Sequence, residues 1–201
     1  MTLTRVAVTS TLGLAVVGWV VALQQMQGMN MGSDTELGSL TFFMGAWVSM
    51  MAAMMLPGAV PAVSRFVRAK GSGLAAPLFA ASYVAVWALF GLAVFVVYQP
   101  HSTAIAGGLT IAAGLYELTP LKRECRRRCQ RPVHSGFQFG VWCVGSSIGL
   151  MVMLVALGVM SIAWMAVVAA LVVAQKLLPP RAWIDVPVAI AIVTLGIVIL
   201  T

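Results

Sequence analysis

Charge is what this sequence has least of. Only 8% of its 201 residues are Asp, Glu, Lys or Arg, against 61% that are hydrophobic, whereas soluble domains carry about 25% charged residues. A water-soluble fold has nowhere to hide that much apolar surface. Acids are the scarcer sign, five against twelve Lys and Arg. Cysteine is scarce as well: Cys125, Cys129 and Cys143 are too few for a disulfide framework. The chain carries no nucleophile elbow, no P-loop and no H-E-x-x-H pair, so nothing in it points to an enzyme. The net charge of +7 comes without a nucleic-acid-binding motif, so nucleic acid is not an expected partner.

What the chain does have is long apolar runs. They predict an all-α fold, a polytopic transmembrane bundle of about seven helices forming a single domain over residues 1–201. The expected spans are about 6–23, 40–60, 74–97, 103–118, 137–157, 160–178 and 183–200. Each is near the roughly 17–25 residues that cross a bilayer. The first run follows Arg5. The stretch Gln24-Gln25-Met26-Gln27-Gly28 after it has no A-x-A-like site, so an uncleaved first helix is expected. With the N-terminus in the cytoplasm, every Lys and Arg falls on the inner side: Arg5, the group Arg65, Arg68 and Lys70, the loop from Lys122 to Arg131, and Lys176 with Arg181. Asp34 and Glu36 fall outside. This is the positive-inside pattern of a multi-pass cytoplasmic (inner) membrane protein. The basic inner loop predicts contact with anionic lipids of the bilayer.

Sulfur is the chemistry that stands out. Met26, Met29 and Met31 lie in the expected outer loop QQMQGMNMGSDTE. Thioethers are soft ligands that suit Cu(I), and Asp34 and Glu36 would attract a cation; the alternative is methionines that dip into the interface. The second span carries Met44, Met50, Met51, Met54 and Met55. Met44, Met51 and Met55 share one helical face, and Pro57 removes the hydrogen bond to the Ala53 carbonyl. A sulfur-lined face could pass a soft cation, or the methionines fill gaps in packing. Cys125 and Cys129 are one helical turn apart in an arginine-rich loop, with His134 following. Two thiolates could hold Cu(I), or join His134 around a harder metal. The arginines should lower the thiol pKa, although they would also repel a free cation. Cys143 lies inside the fifth span. Glu117 sits at the inner end of the fourth, with Lys122 near enough to pair.

Three segments resemble signatures of a bacterial family of predicted metal-binding integral membrane proteins, sometimes labelled copper chaperones. The first is Trp47-Val48-Ser49-Met50-Met51-Ala52-Ala53-Met54-Met55-Leu56-Pro57. The second is Ala113-Gly114-Leu115-Tyr116-Glu117-Leu118-Thr119-Pro120-Leu121-Lys122, followed by Cys125 and Cys129. The third runs from Gly140 through Cys143 and Gly145, then Leu150-Met151, Gly158-Val159-Met160 and Trp164-Met165. The departures are specific. Where the family usually reads cysteine, any residue, glycine, cysteine, cysteine, tryptophan, this chain has Cys143, Val144, Gly145, Ser146, Ser147 and Ile148. A glutamine usual before Leu118 is Glu117, and an acid usual before Lys176 is Gln175.

The resemblance implies soft-metal handling, with copper as Cu(I). On this reading Met26, Met29 and Met31 collect the ion, and Met44, Met50, Met51, Met54, Met55, Met151 and Met160 offer thioethers inside the bundle. Cys125, Cys129 and Cys143 supply thiols. The ion would be delivered to a cuproprotein partner, sequestered or transported. Two other classes stay open: a non-metal membrane scaffold or assembly subunit, and a small-solute transporter that would need a polar cavity from Tyr116, Glu117, Ser146 and Ser147.

Overall fold

A computed structural model describes residues 2–26, 38–98, 102–158, 161–178 and 182–201. Among the described residues the chain is all helix: α1 (Thr2–Met26), α2 (Leu40–Lys70), α3 (Ala75–Val97), α4 (Thr103–Glu117), α5 (Pro120–Gln130), α6 (Gly136–Gly158), α7 (Ile162–Leu177) and α8 (Ala182–Leu200). Four are long and apolar enough to cross a membrane: α1, α2, α3 and α6. α4 and α5 meet that standard only together, and they are bent by 61° at their junction. α7 and the apolar part of α8 are shorter. These helices are compatible with a multi-pass membrane protein. The eighth helix, absent from the expected seven, is α5, whose residues PLKRECRRRCQ are too polar to cross a bilayer alone.

Local chemistry sets the boundaries. Ser39 caps α2 by accepting from the Phe42 N–H, and Gly71 closes it in the left-handed conformation with its N–H on the Val67 carbonyl. A left-handed residue after the last turn is the usual place for glycine. The 31 residues of α2 extend about 46 Å at 1.5 Å each. That exceeds the roughly 30 Å hydrocarbon core, and the overhang carries Arg65, Arg68 and Lys70. Pro57 and Pro61 both lie inside the helix without ending it. Thr119 caps α5 by accepting from the Lys122 N–H, with Pro120 in the first turn, a position where its missing N–H costs nothing. Gly158 ends α6 at φ 115°, which few other residues adopt.

Close packing follows small residues, as is usual for helices in lipid. On α1, Ala7, Thr11, Ala15, Gly18 and Ala22 are buried. A Cβ at Gly18 would lie 2.8 Å from the Ser49 carbonyl oxygen and 2.9 Å from the Ala53 nitrogen, so α1 rests on the backbone of α2. α8 packs on α4 in the same way: a Cβ at Gly114 would meet Val193 Cγ2 at 2.7 Å. α2 is central, touching α1, α3 and α7. Its Trp47 donates through Nε1 to the Trp87 carbonyl at 2.9 Å and locks α2 to α3.

Candidate metal centre

Neighbouring stretches of α2, α3, α5, α6 and α7 enclose the chemistry. Two adjoining clusters form there, one ionic and one of thiols.

The ionic cluster ties α5 to its neighbours. The Lys122 ammonium donates to Glu117 Oε2 and, at 3.1 Å, to Gln175 Oε1; Gln175 Nε2 donates to the same Glu117 oxygen at 2.7 Å. Arg126 pairs with Asp185 of α8 and donates to the carbonyl oxygens of Gln175 at 2.6 Å and Leu178 at 3.2 Å. Glu117, Lys122 and Asp185 are fully buried. Charges so placed must be paired and hydrogen-bonded to remain ionised, and they are. The pairing of Glu117 with Lys122 is the one the sequence predicts. The partner Gln175 is not foreseen by sequence. Positions 117 and 175, both of which depart from the signatures the sequence resembles, are hydrogen-bonded to each other and to one lysine.

The thiol cluster brings together Cys129 of α5 and Cys143 of α6. Ser146, one turn after Cys143 on α6, has its Oγ 4.0 Å from Cys129 Sγ and donates to the Cys143 main-chain carbonyl at 2.9 Å. Cys143 Sγ lies 3.1 Å from the Tyr83 hydroxyl of α3. Lys176 of α7 donates to that hydroxyl at 3.2 Å and approaches Met55 Sδ of α2 at 3.9 Å. Four helices besides α5 therefore contribute a side chain. Cys129, Cys143, Tyr83 and Met55 are at most 6% exposed. A cavity of about 40 Å³ adjoins Cys129, Ser146 and Lys176 and is bordered by Arg65 and Arg126, room for roughly three waters.

Glycine makes these approaches possible. A Cβ at Gly145 would lie 2.7 Å from Cys125 Sγ, and one at Gly58 would lie 2.5 Å from Lys176 Cδ. The first lets α5 lie against α6. The second gives the lysine stem its path across α2. Tyr116 fixes the same corner by donating to the Gly145 carbonyl at 2.6 Å.

The thiols differ from their sequence expectation. Burial pushes the Cys125 thiol up, and pushes Cys129 up further, with the nearby Cys143 adding to the effect. Arg128 does pull Cys125 down, but by less than burial raises it. Flanking arginines therefore do not make these cysteines acidic: desolvation outweighs charges whose heads reach water. Arg127 and Arg128 are exposed, and Arg128 turns to Glu124 at 2.9 Å and to the Trp142 ring. His134 is exposed, its backbone N–H bound to Gln138 Oε1. Among the described residues no group of three or more His, Cys, Asp or Glu is arranged to hold a metal. A hard-metal site of Cys125, Cys129 and His134 is thus not assembled.

Other sulfur positions separate. Met26 is the last residue of α1 and only 4% exposed, a buried helix end where a loop is expected. Met29, Met31 and Met160 lie outside the described residues. Met50, Met51, Met54 and Met55 are all at most 1% exposed, because α2 is enclosed on several sides; Met44 is half-buried. Met151, Met153 and Met165 are buried in the same core. Of the polar residues a solute transporter would need, Tyr116 bonds the Gly145 carbonyl, Glu117 bonds Lys122 and Gln175, Ser146 borders the small cavity and Ser147 is buried. A larger cavity of about 490 Å³ between α3, α4 and α6 is apolar, lined by residues such as Phe90, Leu109 and Val155, with Met151 at its wall.

Sequence comparison agrees with the donor chemistry. A family model described as copper chaperone, PpoB2, matches residues 44–199. The chain belongs to that family, and the matched region contains α3 to α7 whole, nearly all of α2 and α8, and every residue of both clusters. No curated protein and no solved structure matches the chain.

Proposed function

We propose that this protein is a membrane-embedded Cu(I) carrier of the bacterial inner membrane, holding the ion through sulfur and passing it to a cuproprotein partner. The observation that carries the reading is that Cys129 packs against Ser146, one turn along α6 from Cys143, while Cys143 reaches the Tyr83 hydroxyl and Lys176 links that hydroxyl to Met55, in a chain of the copper chaperone family. Thiolates and thioethers are the ligands Cu(I) prefers, and two thiolates suffice for it. Each thiol loses its proton to solvent as its S–Cu bond forms, and the copper remains Cu(I). The protein's part is to hold and release the ion, with no bond of a substrate made or broken.

The methionines of α2, with Met151 on α6 and Met26 at the end of α1, give the ion thioether footholds through the bundle; Met29, Met31 and Met160 extend that set. On this reading the N-terminus lies in the cytoplasm and the polar α5 rests on the inner surface. The exposed Arg127 and Arg131 meet anionic headgroups there. Copper analysis tests the reading. Protein purified anaerobically in detergent and loaded with Cu(I) should retain about one chelator-resistant copper, and Cys129→Ser with Cys143→Ser should retain none while still folding. Copper-free wild type would instead favour a scaffold whose methionines only pack.

A further inference from the structure

Lys176 is the odd charge at the thiol cluster. Its ammonium lies among a phenol, a thioether and the rings of Tyr83 and Phe139, each centroid 5.7 Å away. The three acids among the described residues are engaged elsewhere: Glu117 with Lys122, Asp185 with Arg126, and Glu124 with Arg128. Among the described residues no ion pair neutralises Lys176. Lys176 is partly buried, and Gly58 leaves room for its stem to reach this place.

Hydrogen-bond direction indicates its purpose. An ammonium has three donors and no acceptor, and a phenol has one proton. Lys176 must therefore donate to the Tyr83 oxygen at 3.2 Å. The Tyr83 proton is then free to point at Cys143 Sγ, 3.1 Å away. Lysine, tyrosine and cysteine form a hydrogen-bonded chain; once Cys143 is a thiolate it has no proton to give, so Tyr83 donates to it while accepting from Lys176.

We propose that Lys176 is the counter-cation of the thiol pair: through Tyr83 it holds Cys143 Sγ as an acceptor, and it balances the negative charge that Cys129 and Cys143 acquire on taking up Cu(I). The inference rests on the Cu(I) reading above. Its charge balance is simple. Before loading, two neutral thiols and one ammonium carry one positive charge. On loading, two S–H bonds break, two S–Cu bonds form and two protons leave to solvent. Copper, two thiolates and the ammonium then sum to zero, with Arg126 at the border of the same cavity already paired with Asp185 and Arg65 adding a further cation there. Without the lysine, copper and its two thiolates carry one negative charge. Lys176 is thus a positioning and charge-balancing residue, not a ligand.

The test is competition for Cu(I) between the full-length protein in detergent and a chromogenic Cu(I) chelator, without oxygen. Lys176→Gln keeps a donor for Tyr83 but loses the charge, and should bind Cu(I) more than tenfold more weakly, as expected for removing a unit charge several ångströms from the site. Lys176→Arg keeps the charge and should stay within about threefold of wild type. Tyr83→Phe breaks the hydrogen-bonded chain and should weaken binding severalfold. Thermal unfolding of the copper-free variants separates loss of fold from loss of affinity, and Tyr83→Phe carries the test if Lys176→Gln does not fold. Equal or tighter binding by a folded Lys176→Gln overturns the inference and leaves the copper reading standing. Failure of wild type itself to retain Cu(I) overturns both.

Discussion

Lys122 makes the sharpest stability test, because its removal strands a charge. Its side chain and that of Glu117 are fully buried, and Glu117 Oε1 already lacks a hydrogen-bond partner. In Lys122→Met the carboxylate would keep only the Gln175 amide donor at 2.7 Å. Breaking a buried pair from one side costs about 3–5 kcal/mol. At roughly 2–4 °C per kcal/mol for a chain of this size, the melting temperature in detergent should fall by about 10 °C. Glu117→Gln added to Lys122→Met removes the stranded charge and should recover most of that loss. Moving the acid tests the geometry more finely. Glu117→Gln with Gln175→Glu places one carboxylate where Gln175 Oε1 now lies 3.1 Å from the lysine, so the double variant should melt within a few degrees of wild type. Gln175→Glu alone crowds two carboxylates onto one lysine and should be clearly less stable. A Lys122→Met protein that melts like wild type, or a double exchange no better than Gln175→Glu alone, would refute the reasoning.

Three further outcomes follow from the thiol cluster and the helix contacts. Ser146→Cys puts a third thiol beside Cys129 and Cys143 and should tighten Cu(I) binding in chelator competition; unchanged affinity would place Ser146 outside the site. Burial raises the Cys129 thiol, and copper must displace its proton, so Cu(I) affinity should climb with pH through neutral and mildly alkaline conditions by about tenfold per unit for that proton alone; a flat profile in competition titrations would contradict it. Gly145→Ala drives a methyl into Cys125 Sγ, 2.7 Å away, and should cost about 1–3 kcal/mol as overpacking does; adding Cys125→Ala should return the lost thermal stability, and no recovery would mean that the clash lies elsewhere.

Much of this architecture is legible in the chain itself. Apolar runs locate most of the helices to within a few residues, since hydropathy reports directly on lipid-facing surface; α2 runs on from the expected end at Val60 to Lys70 because its last turns are polar. Basic residues distant in sequence do gather at one end: Arg65, Arg126 and Lys176 border the same small cavity. The short separation of Glu117 and Lys122 makes their pairing readable. Long-range partners are not readable in this way. Tyr83, Cys143 and Lys176 come from three helices, and no periodicity states which helices will touch. The clue lies in the small residues: Gly145, two residues after Cys143, faces Cys125, and Gly58 faces Lys176. The thiol acidity is misjudged from sequence because nearby arginines are visible there and burial is not. The helix α5 is missed as a separate element because its polar residues read as a loop, although Thr119-Pro120 is a helix start by the usual capping chemistry.

X-ray absorption at the copper edge on Cu(I)-loaded protein tests the central claim most directly. The account predicts a sulfur-only first shell in wild type, and no stoichiometric copper once Cys129 and Cys143 are both serine. A nitrogen- or oxygen-rich shell, or an undiminished copper signal in the double serine variant, would contradict it.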